Sequence, residues 1–71
     1  MNEEERNWEK NKRGLIITVM RVNFEERVGA FLNSDSWSTV EELDSWIDAN
    51  LRQYEETKKA IIEYYDEKIY S

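Results

Sequence analysis

Seventy-one residues without cysteine or histidine, 37% of them charged and summing to a formal charge of −6, exclude a disulfide scaffold, a zinc site built on cysteine or histidine, and catalysis by a thiol or an imidazole. A chain this short forms one small domain, residues 1–71, whose single core rarely supplies more than about 3–5 kcal/mol, so a homodimer or a partner would relieve a narrow margin. Aromatics at 13%, with clustered aliphatics, indicate a folded rather than a disordered chain.

The opening "MNEEERNWEKNKRG" has acids where a secretory signal needs bases followed by an apolar run, and the longest apolar stretch is too short to span a bilayer. A cytoplasmic protein without a membrane segment is expected. Residues 1–14 read as a short helix: Asn2 caps it, Glu5 completes a capping box, and Lys12 and Arg13 close it before Gly14. Glu9 and Arg13 can pair four residues apart. With Trp8 as its one apolar anchor, the segment is either ordered or a mobile arm.

"LIITVMRV", residues 15–22, is β-branched and apolar at both alternating sets, which predicts a buried strand. It pairs with "RVGAFL", residues 27–32, across a turn at 23–26, and Gly29 suggests a bulge. A helix is the alternative, since Phe24, Val28, Phe31 and Leu32 also recur at helical spacing behind Asn23 and Glu26. "NSDS" then breaks the pattern, and Ser38 or Thr39 caps the clearest element, with Glu41 or Glu42 respectively at its third position. Behind the cap Val40, Leu43, Ile47, Leu51 and Tyr54 recur every three or four residues, an amphipathic helix. The stripe continues through Ile61, Ile62, Tyr65 and Ile69, as one long helix or two with a kink near Asn50 or Thr57, although "AIIEYY" also suits a third strand. The expected fold is therefore α+β: a β-hairpin packed against a long amphipathic acidic helix, with a C-terminal helix or third strand.

No residue pattern names a reaction. A GxSxG elbow and a glycine-rich phosphate loop are both missing, and the adjacent Glu41 and Glu42 point about 100° apart on a helix, so no enzyme and no cofactor are expected. Asp44 and Asp48 could share a hard cation, but helical carboxylates without an EF-hand loop make weak sites. Bases are scattered among acids, which argues against direct nucleic-acid binding; Lys10, Lys12 and Arg13 more simply complement a helix C-terminus.

The distribution of acid is more informative. Residues 35–51 hold Asp35, Glu41, Glu42, Asp44 and Asp48 and no base, while residues 1–14 and 15–34 are each neutral. On a helical projection Glu41, Asp44, Asp48 and Glu55 fall in a band about 60° wide, and successive members from Glu41 to Asp48 rise by about 4.5 and 6 Å, comparable with the 3.4 Å or so between phosphates along a strand. Such a row fits a groove lined with lysine and arginine. The helix dipole alone accounts for Glu41, Glu42 and in part Asp44, whereas the absence of any base between Arg27 and Arg52 asks for another reason, because a solubilising face normally mixes signs. Trp46 lies at the border of the apolar stripe, as core packing or as an interface anchor. Trp37 is expected to fold back on the first turn of the helix. Tyr64 and Tyr70, off the stripe, could serve a dimer.

The profile carried by "STVEELDSWID", with its line of Glu41, Asp44 and Asp48, resembles a class of small, acidic, cofactor-free phage proteins that disable host machinery, several by imitating DNA. The resemblance implies a protein of the host cytoplasm that occludes the basic nucleic-acid-binding surface of a histone-like nucleoid protein, using Asp35, Glu41, Glu42, Asp44, Asp48, Glu55 and Trp46. The alternative it implies is a regulator that binds RNA polymerase or another protein through an aromatic, apolar helix face. Bases such as Arg6, Lys10 and Lys59 limit any mimicry to one face.

Overall fold

The computed structural model describes residues 1–70, and among them it contains two helices, α1 (Glu3–Leu32) and α2 (Val40–Tyr70), joined by a short loop. The expected α+β fold is thus corrected to an all-helical hairpin. Residues 15–32 form no strands, and residues 57–70 continue α2 rather than adding a third strand.

The strand expectation fails for an identifiable reason. "LIITVMRV" is apolar at both alternating sets because α1 is apolar on two faces: Ile16, Ile17 and Met20 turn towards α2, while Leu15, Val19 and Val22 face solvent. Two stripes on one helix read like a fully buried strand when only a short window is considered. The helix also runs through Gly14, where a stop is expected, because both glycines take ordinary helical conformations. Thr18 supports the passage, its hydroxyl donating to the Gly14 carbonyl at 2.8 Å, and Gly29 makes no bulge.

Both helices begin as the cap residues dictate. The Asn2 side-chain oxygen accepts from the Glu5 N–H at 2.8 Å, and its amide donates back to the Glu5 carboxylate. At the start of α2 the Thr39 hydroxyl accepts from the Glu42 N–H, and the Glu42 carboxylate reaches back to the Ser38 N–H at 3.0 Å. That places the capping box at Thr39 and Glu42, with its return bond displaced by one residue. The loop closes the end of α1 largely with its own side chains. Asn33 donates to the Gly29 carbonyl, Ser34 to that of Phe31, and the Trp37 indole N–H to those of Phe31 and Leu32 at 3.0 and 3.2 Å. Trp37 therefore folds onto the last turn of α1 rather than the first turn of α2.

The helices are antiparallel and in register. Glu9 meets Lys68, Arg13 meets Asp66, Phe24 meets Tyr54, Arg27 meets Asn50 and Phe31 meets Trp46, so partner numbers sum to between 77 and 79 along the whole seam. The result is a rod 54 Å long and 16 by 11 Å across. At the loop end Phe31 and Trp46 stack with centroids 4.1 Å apart and planes 2° from parallel, and Phe24 on Tyr54 forms the next layer at 5.1 Å. At the open end Glu9 is 8% exposed between Lys12 and Lys68, at 3.5 and 3.3 Å. Glu9 thus pairs with two lysines instead of Arg13, whose guanidinium goes to Asp66. These bridges, with Lys10 over the ring of Tyr70, hold residues 3–14 against α2, which makes the segment an ordered part of α1.

A two-helix hairpin has one seam and no second layer to cover it. Consistent with this, Tyr65 and Ile69 are its only buried apolar residues among those described.

Candidate functional site

The hairpin sorts the charge along its long axis. Residues 25–51, which make up the loop end, carry seven carboxylates against one base, Arg27, while the remaining residues balance. The entire formal charge of −6 therefore lies at one pole. Antiparallel pairing sharpens what the sequence shows only along the chain, because it brings Glu25 and Glu26 of α1 to the same end as the acids of α2.

Within this pole the expected site residues play different parts. Asp35 is exposed in the loop, and Glu41, Asp44 and Asp48 are exposed along the first two turns and more of α2. None of these four is in an ion pair among the described residues; the bridges of Glu9 and Arg13 lie at the opposite end. Glu42 is committed to the cap through Ser38. Glu55 is exposed but stands one turn from both Arg52 and Lys59 on the same side of α2, so the uncompensated row ends at Asp48. Trp46 spends one ring face on Phe31, and its backbone carbonyl accepts from the Asn50 side chain at 2.8 Å.

Unpaired exposed carboxylates on a rigid helix attract cations and basic surfaces through a field that salt screens over about 8 Å at physiological ionic strength. Among the described residues no group of three acids converges in a way that could hold a metal ion, and no helix is long and apolar enough to cross a membrane.

A second feature was not singled out from the sequence. Trp8, Leu15, Val19 and Val22 line the side of α1 turned away from α2 and are all exposed. The seven-residue steps from Trp8 to Leu15 to Val22 were the signal, obscured by the apolar residues between them. Comparison with protein-family models, with curated proteins and with solved structures finds no match for the chain.

Proposed function

We propose that the protein binds a basic, nucleic-acid-binding surface of another protein and occludes it, with the row Glu41, Asp44 and Asp48 of α2 as the contact. Asp35, and Glu25 and Glu26 of α1, broaden the field around that row. A histone-like nucleoid protein is the partner class of choice, and the cytoplasm of a host cell the setting. The observation that carries the reading is the exposed, unpaired row at the pole holding all the net charge. Glu42 supports the site by fixing the helix start, and Trp46 by holding α2 against α1 at that end.

The experiment is a competition between this protein and duplex DNA for a histone-like nucleoid protein, followed by fluorescence anisotropy across a salt series. Binding should weaken steeply with salt, as expected when a surface that otherwise neutralises phosphates meets carboxylates. The triple change Glu41→Lys, Asp44→Lys and Asp48→Lys should abolish competition. Competition that survives this reversal refutes the proposal, as does affinity that ignores salt.

A further inference from the structure

We infer that the outward face of α1 is a self-association surface, and that the protein forms an antiparallel four-helix bundle with a second copy of itself. The stripe consists of Trp8 and Leu15, each 65% exposed, Val19 at 50% and Val22 at 43%. At about 100° per residue these four fall within about 60° of arc, well away from the seam with α2. Tyr64, one turn before Lys68 and also exposed, borders the same side of the hairpin. One-sided packing leaves this chain with only Tyr65 and Ile69 as buried apolar residues among those described, whereas two such hairpins laid face to face acquire an inner layer.

Size and charge choose a second copy as the occupant. Consider two α1 helices running antiparallel about a two-fold axis between residues 18 and 19. Leu15 then lies opposite Val22 of the other copy, Val19 lies at the axis, and Trp8 faces Gly29 and Ala30. Gly29 has no visible purpose within one hairpin: its conformation is ordinary, and a Cβ there would meet nothing within 4 Å. A glycine within a helix is disfavoured relative to alanine, and the space it leaves is what an indole from a second copy fills. The same register sets Glu26 opposite Asn11 and one residue from Lys12 of the other copy, so an acid approaches a base. A two-fold centred on Leu15 instead sets Glu4 against Glu26, acid on acid. A parallel pair would bring the two acidic poles together, which the antiparallel arrangement avoids by placing them at opposite ends.

Sedimentation equilibrium of the full chain tests the proposal. The wild type should be dimeric at tens of micromolar and above. Leu15→Glu together with Val19→Glu should weaken association at least 100-fold. Gly29→Leu guards against a trivial loss of fold, because a Cβ at this position meets nothing within 4 Å and leucine is the better helix former; it should keep full helicity by circular dichroism while weakening the dimer at least tenfold. Glu26→Lys should also weaken it. Since the chain has no cysteine, single substitutions report the register: Val19→Cys should form a disulfide-linked dimer in air, and Leu15→Cys should not. A wild-type chain that sediments as a monomer at 100 micromolar overturns the proposal, and so does a dimer indifferent to Gly29→Leu. A Leu15→Cys chain that cross-links in preference to Val19→Cys overturns the register.

Discussion

Replacing Trp46 by alanine should destabilise the hairpin severely. The indole lies flat against Phe31 with centroids 4.1 Å apart, at the end of the seam nearest the loop. A packed tryptophan buries about 150–250 Å², and with this side chain part-buried, about 100 Å² leaves water. At about 25 cal/mol per Å² that area is worth about 2.5 kcal/mol, and the ring pair adds about 1 kcal/mol. The loss of about 3.5 kcal/mol is most of what a core of this size supplies. Thermal unfolding followed by far-ultraviolet circular dichroism should show Tm lower by roughly 15–25 °C, at about 4–8 °C per kcal/mol for a small domain. Wild type and variant must be compared at one protein concentration, since association raises Tm by mass action. A shift below about 5 °C would show that the stack contributes little, and would return Trp46 to the role of a partner anchor.

Two further outcomes follow from the helix ends and the glycines. Trp37→Phe keeps an aromatic side chain but removes the N–H that caps the Phe31 and Leu32 carbonyls; the same melt should fall by about 5 °C or more, for about 1 kcal/mol of lost hydrogen bonding, with helix content unchanged. Gly14→Ala should raise Tm by about 4–8 °C, because a Cβ there meets nothing within 4 Å and alanine gains about 1 kcal/mol of helix propensity.

What the sequence revealed was set by interactions local enough to read. The Asn2 and Thr39 caps lie within three residues of their partners, as does the α2 stripe within each turn, and the structure contains both. The course of residues 15–32 depends instead on α2, fifteen or more residues away, because Met20, Phe24 and Phe31 choose the helix by packing across the seam. β-branched side chains at Ile16, Ile17, Thr18 and Val19 have only a weak preference for strand, and tertiary context overrides it. A strand would also have needed a neighbour for its backbone groups. Gly14 misled in the same way, since a glycine after Lys12 and Arg13 resembles a helix end, while the pairing of Arg13 with Asp66 holds the helix on through it. The acidic site was legible as a run of residues, but its polarity was not, because Glu25 and Glu26 join it only when α1 folds back beside α2.

The acidic pole and the apolar stripe respond oppositely to ionic strength, which makes them separable in one preparation. Contact by Glu41, Asp44 and Asp48 with a basic surface is electrostatic and weakens as salt screens it. Association through Trp8, Leu15, Val19 and Val22 is apolar, and it tolerates or even gains from salt, since screening also relieves the mutual repulsion of two chains that each carry −6. An antiparallel dimer further carries its two acidic poles at opposite ends, so each copy keeps its own site open and the pair can engage two basic surfaces at once. Tethering of that kind raises apparent affinity for an array of basic proteins without any new contact. Substitution at Leu15 and Val19 therefore removes the gain while leaving the intrinsic affinity of a single pole intact, whereas reversal of the acidic row removes the affinity and leaves the dimer.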